Sequence, residues 1–280
     1  MNKKFSLFIL LFIGVITISF SSILIRMSKS TPIVISTYRM GLSTIFLLPL
    51  FVFNRKKVVK GEKVFFVLSG IFLALHFYTW ITSLRFTTIM SSTVLVTTNP
   101  IFVSILSYLL FKKRLKIKTF LAIILCLLGI LLMSYGGKFS TNVKGNSLAL
   151  LGAIFASLYI TTNYFLRKKY DLINIVFRVY SISFIVLLII SFVLKENLIF
   201  LPKREYFLLI LIAIFPQVIG HSIFNYALKF LSPVFISLTI LGEPIGATLL
   251  GVIFFKEIPK CLEFLGGLLI ITAILIADKE

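Results

Sequence analysis

Long apolar runs, separated by short stretches of charged and turn-forming residues, are the dominant pattern of this sequence. Most runs are close to the roughly 20 residues that an α-helix needs to cross a bilayer. The pattern predicts an all-α polytopic membrane protein with ten transmembrane helices and short loops. The predicted spans cover about residues 6–26, 32–53, 64–84, 90–111, 117–135, 146–167, 174–194, 206–228, 234–255 and 262–278.

Part of the first half of the chain recurs in the second half, about 144 positions further on. Asn99-Pro100-Ile101 corresponds to Glu243-Pro244-Ile245, and Phe111-Lys112 corresponds to Phe255-Lys256. Matches between apolar residues are common in such a chain, but a shared proline and shared basic positions are not. The duplication divides the chain into residues 1–138, with spans 1–5, and residues 139–280, with spans 6–10.

An odd number of spans in each half has a topological consequence. The second half must cross the membrane in the opposite sense to the first, so the two halves are predicted to be inverted five-helix repeats. This architecture recurs in secondary transporters, whose substrate site lies near the midplane between the repeats. The alternative is that the duplication only records how the gene grew.

Composition and charge narrow the class further. Hydrophobic residues make up 59% of the chain, above the roughly 45–50% of soluble proteins. The net charge of +20 comes from basic clusters between spans, such as 55–63, 112–118 and 167–169, and not from one continuous patch. This distribution argues against a nucleic-acid partner and, by the positive-inside rule, predicts that both termini are cytoplasmic. The bias is stronger in the first half.

The N-terminal segment and the cysteines carry less information. Lys3-Lys4 and the apolar stretch after them resemble a signal peptide, but the stretch is too long and lacks a cleavage site, so it is interpreted as a retained first span. With no organelle-targeting segment in the sequence, a plasma (inner) membrane location is expected. Cys126 and Cys261 have no metal-ligand or redox spacing and are interpreted as packing residues, and neither a metal nor a cofactor is predicted.

Polar groups inside the spans are the candidate functional residues. A charged side chain at mid-bilayer costs about 2.5–3.5 kcal/mol on insertion scales, and of the nine acidic residues only Glu243 falls well inside a span. It precedes Pro244, which should break the helix, as Pro100 should after Asn99 in span 4. A carboxylate beside a broken turn is suited to a cationic group or a proton. Alternatively, Glu243 bonds a neighbouring helix and only holds the bundle.

Polar stripes on the faces of other spans complete the candidate site. They fit a hydrated cavity, although hydrogen bonds between helices would explain each residue singly. Arg39 and its repeat mate Arg178 either face this cavity or extend to the membrane interface. Span 1 carries a weaker stripe of Ser19, Ser22 and Arg26. With Glu243 and Asn99, the predicted substrate-binding residues are Arg39, His76, Trp80, Tyr159, Asn163, Gln217, His221 and Asn225.

Gly242 and Gly246 in span 9 form a small-xxx-small motif. Such a motif lets two helices approach closely, either within one protomer or between two. A homodimer is therefore one prediction of this motif, although the motif does not establish it.

At the end of each half, the sequence resembles the EamA type of the drug/metabolite transporter superfamily. The second half has Leu241-Gly242-Glu243-Pro244-Ile245-Gly246-Ala247, then Phe254-Phe255-Lys256-Glu257 and Gly266-Gly267-Leu268. The first half has Asn99-Pro100, Phe111-Lys112-Lys113 and Gly129, with Lys113 where the family usually has an acidic residue. The resemblance covers essentially the whole chain. It implies an alternating-access carrier in the inner membrane that exports amino acids, related metabolites or drugs.

Other functions are weighed against this one. The same fold would also suit a flippase for lipids or lipid-linked sugars, because basic loops fit anionic headgroups in either case. A membrane enzyme would need clustered His and Asp residues near an interface, which the sequence lacks. A structural scaffold would leave Glu243 and the paired polar stripes without a purpose. Proton coupling through Glu243 or the histidines remains open.

Overall fold

The computed structural model describes residues 3–87, 89–112, 116–136, 142–255 and 261–276, and all regular structure in these ranges is helical. Seven helices there are long and apolar enough to cross a membrane. Shorter apolar helices lie at Asn99–Phe111, Ile117–Gly129 and Phe264–Ala273. The protein is therefore a polytopic membrane protein, as its sequence predicts.

Each of the ten predicted spans corresponds to one helix or to consecutive helical segments. A 3₁₀ turn at Lys60–Glu62 precedes α3, and a π-helical segment at Ala213–His221 joins α9 to α10. The α-helices are α1 Lys3–Met27, α2 Pro32–Asn54, α3 Lys63–Ser83, α4 Ile89–Val96, α5 Asn99–Phe111, α6 Ile117–Gly136, α7 Val143–Arg167, α8 Leu172–Val193, α9 Lys203–Ile212, α10 Ser222–Ala227, α11 Pro233–Ile240, α12 Gly242–Phe255 and α13 Cys261–Ile276.

Spans 4 and 9 are interrupted at matching positions. Two residues separate the end of α4 from Asn99, and one residue separates the end of α11 from Gly242. In each case a proline lies in the first turn of the next helix. The proline causes the interruption, because it lacks an N–H and its ring clashes with the carbonyl four residues earlier. The Leu241 N–H bonds to the Leu238 carbonyl at 3.1 Å, three residues back, which is a tightened turn. Both interruptions place polar residues at the start of a new helix.

The helices of the first half pack mainly on helices of the second half. α2 packs on α8, and α6 packs on α13. α3 packs on α7, while α1 packs along α9, the π-helical segment and α10. α4 and α5 contact α7, and α12 contacts α1. Each of these pairings has a counterpart when the two halves are exchanged, so the core lies at the boundary between them.

The glycine motif of span 9 packs within the protomer. A Cβ atom at Gly246 would overlap the side chain of Ser19 in α1, and one at Gly242 would lie 2.8 Å from Val15 Cγ1. The two glycines therefore allow α12 to approach α1 closely. A homodimer remains a prediction, and this motif does not supply its interface.

Candidate functional site

A cavity of about 50 Å³ lies between the two halves. It has room for about three to five water molecules. Residues from α1, α2, α3, α7, the π-helical segment, α10 and the two interrupted spans line it. Eight of the ten predicted site residues are among them: Arg39, His76, Trp80, Asn99, Tyr159, His221, Asn225 and Glu243.

The other two predicted residues lie behind the cavity wall. Gln217 is fully buried and its Oε1 atom accepts a hydrogen bond from Arg39 Nε at 2.7 Å. Asn163 donates through Nδ2 to Asn225 Oδ1 at 2.6 Å. Both residues therefore support side chains that face the cavity, while Pro100 and Pro244 shape the helix ends beside it.

Arg39 lies fully inside the protein. Its Nη1 atom donates to Ser21 Oγ at 2.9 Å, and its guanidinium carbon lies 3.9 Å from the centre of the Phe77 ring. Among the described residues, Nη2 has no hydrogen-bond partner. Extension of Arg39 to the interface is thus wrong, because Gln217, Ser21 and Phe77 together hold the cation inside. Its repeat mate Arg178 is half-buried and donates to the Lys56 carbonyl in the loop after α2.

Glu243 and Asn99 occupy the first turns of the helices that follow the two interruptions. Both side chains are largely buried, with 9% and 4% exposure. The free N–H groups and the dipole of a helix N-terminus favour a carboxylate there, and Glu243 also interacts electrostatically with Arg39. The Oδ1 atom of Asn99 has no partner in the described part of the chain. The cavity is thus bordered by one carboxylate and one free acceptor at equivalent positions.

Aromatic rings form another wall of the cavity. His76 Nδ1 lies 2.9 Å from the Gly152 carbonyl oxygen, so Nδ1 is assigned as the donor and Nε2 is left as an acceptor. The His76 ring is parallel to the Trp80 ring, with centroids 6.0 Å apart. Trp80 Nε1 has no partner among the described atoms. His221, on the opposite side, meets the Phe77 ring edge-on at 5.4 Å.

A chain of hydrogen bonds fixes the polar residues below these rings. Ser69 Oγ donates to Asn163 Oδ1 at 2.7 Å, and Asn225 Nδ2 donates to the Tyr159 hydroxyl at 2.7 Å. The same Asn225 amide also donates to the His221 carbonyl at 2.8 Å. Because each member holds the next, Tyr159 and Asn225 present fixed groups to the cavity.

Sequence reasoning missed part of the lining. Ser21 and Ile18 line the cavity from α1, whereas the predicted stripe used Ser19, Ser22 and Arg26. Ser19 packs against α12 and Arg26 is exposed, so that choice of helix face is wrong. The three serines at positions 19, 21 and 22 predict a polar region on span 1, but they do not define which face turns inward.

A polytopic helical fold around a buried polar cavity is an arrangement that membrane transporters use. The EamA-like transporter family matches residues 5–135 and again residues 143–277, and this chain belongs to that family. The family and the relatives described next indicate a membrane transporter. The quoted turn residues Lys113, Lys256 and Glu257 lie outside the described ranges.

Two relatives carry transporter names. An uncharacterized transporter of Methanothermobacter thermautotrophicus is 32% identical over 180 residues, which cover 62% of this chain and about half, 48%, of the relative. The uncharacterized transporter YdfC of Bacillus subtilis is 27% identical over 92% of this chain and 85% of its own length. A crystal structure of another protein, 14% identical, has a TM-score of 0.78 over 97% of this chain and 96% of that one. This last likeness concerns the fold alone.

Proposed function

We propose that this protein is a secondary transporter that exports small polar metabolites, such as amino acids or related compounds, or drugs. The cavity between the two halves is its substrate site. One observation carries the proposal: buried groups of opposite charge and unpartnered polar atoms face one cavity among membrane-spanning helices. Such groups are costly to bury without partners, so a ligand that bonds them offsets the cost.

The chemistry of the lining favours a solute with both donor and acceptor groups. Arg39 Nη2 and Trp80 Nε1 offer donors, while Asn99 Oδ1 and the Glu243 carboxylate offer acceptors. An ammonium group suits the acceptors, and a carboxylate suits the donors. The apolar residues around them suit a small organic side chain.

Alternating access between two inverted five-helix repeats is the proposed mechanism. Two family matches in one chain and the exchangeable helix pairings support this architecture. We assign ten spans, with residues 1–138 and 139–280 as the repeats, in the plasma membrane. The basic clusters support cytoplasmic termini.

Counterflow in liposomes tests the proposal. Purified protein is reconstituted, and uptake of labelled amino acids and related metabolites is measured for wild type, Glu243→Ala and Glu196→Ala. Glu196 accepts a hydrogen bond from Thr31 and does not line the cavity, so it is the matched control. Saturable uptake that is lost only in Glu243→Ala is expected.

Two further outcomes are informative. A pH profile of transport that is the same in wild type and Glu243→Gln would exclude proton coupling through this residue. No uptake of any solute by folded protein, together with flipping of a fluorescent lipid, would overturn the proposal in favour of a flippase.

A further inference from the structure

Two glutamates at equivalent positions of the two halves each hold a turn that belongs to the opposite half. Glu62 precedes α3 and Glu205 lies in the first turn of α9, so their separation of about 143 positions matches the repeat. Neither residue lines the cavity. Their contacts fall on the α1–α2 turn and the α7–α8 turn, which are also equivalent in the two halves.

Glu205 binds the α1–α2 turn through four donors, two hydroxyls and two backbone N–H groups. Ser28 Oγ donates to its carboxylate at 2.5 Å and Ser30 Oγ at 2.9 Å. The backbone N–H groups of Lys29 and Ser30 donate to it at 3.1 and 3.2 Å. Glu205 is only 4% exposed, so these neutral donors replace the water of a buried carboxylate. Arg85 Nη2 donates to the Ser30 carbonyl at 2.5 Å and fixes the turn from the other side.

Glu62 also accepts hydrogen bonds from a turn, the α7–α8 turn, but its donors are a lysine and a tyrosine. Its two carboxylate oxygens accept hydrogen bonds from Lys169 Nζ and from the Tyr170 hydroxyl. The Tyr170 hydroxyl in turn accepts from the Val59 N–H at 3.1 Å. This end is partly open to solvent, because the side chain of Lys169 is 52% exposed.

The two clusters lie at opposite ends of the molecule. α2 contains 23 residues and is therefore about 34 Å long. The turn held by Glu205 lies just before α2, and Glu62 lies in the segment just after it. Arg39, which lines the cavity, is located between them, about 11 Å along the helix. One cluster therefore closes each side of the membrane.

The α1–α2 turn connects two helices of the cavity wall, and the α7–α8 turn adjoins a third. The α1–α2 turn joins the helix that carries Ser21 to the helix that carries Arg39. The α7–α8 turn begins where the helix with Tyr159 ends. When the hydrogen bonds between a turn and its glutamate break, the ends of the two helices that the turn connects are able to move.

We infer that Glu62 and Glu205 are the two latches of the transport cycle, each closing the cavity toward its own side of the membrane. This inference rests on the proposed alternating access. The Glu62 latch is a partly exposed ion pair with a tyrosine and is the weaker one, whereas the Glu205 latch is a buried carboxylate that accepts four hydrogen bonds. The Glu62 side opens more readily, and more so at high salt.

Accessibility of a reporter cysteine tests the latches without any substrate. Ala156→Cys is placed in the cavity wall of a chain that also carries Cys126→Ala and Cys261→Ser. A membrane-impermeant thiol reagent is applied from each side in turn, and Lys57→Cys, an exposed loop position, identifies the Glu62 side. Glu62→Gln should raise the labelling rate from the Glu62 side about threefold. Glu205→Gln should raise it from the other side about tenfold.

Matched variants separate the latch from a general loss of structure. Glu196→Gln removes a carboxylate that bonds Thr31, close to the same turn, and should leave both rates unchanged. Ser28→Ala and Lys169→Met remove one latch donor each and should act in the same direction as the glutamate variants, with melting temperatures close to wild type. Equal changes on both sides, or no change in folded protein, would overturn the inference. Failure of the transport proposal is distinct, since it is a lack of uptake by wild type.

Discussion

Replacement of Arg39 by methionine removes the buried cation and keeps most of the side-chain volume. Two hydrogen bonds are lost, to Gln217 Oε1 and Ser21 Oγ, and so is the contact with the Phe77 ring. A buried acceptor left without a donor costs about 1–3 kcal/mol, and Glu243 loses its electrostatic interaction with the Arg39 guanidinium. Relief from burying the guanidinium opposes these losses. We expect a net loss of about 2–4 kcal/mol in the free energy of unfolding.

A double-mutant cycle isolates the electrostatic part of this loss. Glu243→Gln alone leaves Arg39 as an uncompensated buried charge and should cost about 3–5 kcal/mol. In the double variant neither charge remains, so its loss should be smaller than the sum of the single losses by about 1–3 kcal/mol. Thermal unfolding of detergent-purified protein measures all four members of the cycle. A change of 1 kcal/mol corresponds to about 2–4 °C in a chain of this size class.

The repeat mate of Arg39 is the control. Arg178 bonds the Lys56 carbonyl at the loop and does not line the cavity. Arg178→Met and Glu243→Gln should therefore be additive within about 0.5 kcal/mol. Additivity of the Arg39 cycle as well would refute the reasoning, because it would mean that Arg39 and Glu243 do not interact across the cavity.

Three further predictions concern packing, pH and ligand contact. Gly129→Ala places a Cβ atom 2.7 Å from a backbone oxygen of α13 and should cost about 1–3 kcal/mol in melting experiments, whereas Gly61→Ala, with no atom within 4 Å, should cost nothing. A hydrogen bond from Lys56 holds the pKa of Asp171 below its ordinary value, so this pair stabilises the fold above about pH 4 and is lost as the pH falls. Between pH 6 and pH 3, the free energy of unfolding of the wild type should fall by at most about 1 kcal/mol more than that of Asp171→Asn, since the pair is exposed. Equal decreases in both proteins would show that the Lys56–Asp171 pair does not stabilise the fold. Trp80→Phe keeps an aromatic ring but removes an unpartnered N–H, so KM for a transported solute should rise about two- to tenfold with little change in melting temperature.

The sequence predicts the helices well because the bilayer imposes a length and a composition on every span. The interruptions near Pro100 and Pro244 are equally predictable, since proline cannot continue the hydrogen-bond ladder. Polar stripes on the spans also predict which residues face the protein interior. Exposing a polar side chain such as Asn225 to lipid is energetically costly, so it faces inward. The structure gathers eight of ten such residues on one cavity, and their role in binding remains a prediction.

Features that depend on tertiary partners are not predictable in this way. Arg39 and Arg178 occupy matching positions, yet only Arg39 has Gln217 and Ser21 within reach, and so it stays inside. Glu62 and Glu205 lie near the ends of their spans, where a charge costs little and gives no signal. Their importance follows only from the turns that they contact.

The cavity combines charges from the two halves of the chain, and this has a consequence for any rearrangement between them. Arg39 belongs to the first half and Glu243 to the second, while the equivalent pair, Arg178 and Asn99, has a neutral member, and only Asn99 of that pair lines the cavity. At an effective dielectric constant of about 20, lengthening a charge separation from about 6 to 10 Å weakens the attraction by about 1 kcal/mol. A rocking motion of the halves would therefore change the energy of this single pair by an amount that one or two ligand hydrogen bonds can offset. A ligand that bonds Arg39 and Glu243 together would restore the lost attraction. Under the proposed alternating access, this asymmetry of the duplicated halves would couple occupancy of the cavity to the position of the halves.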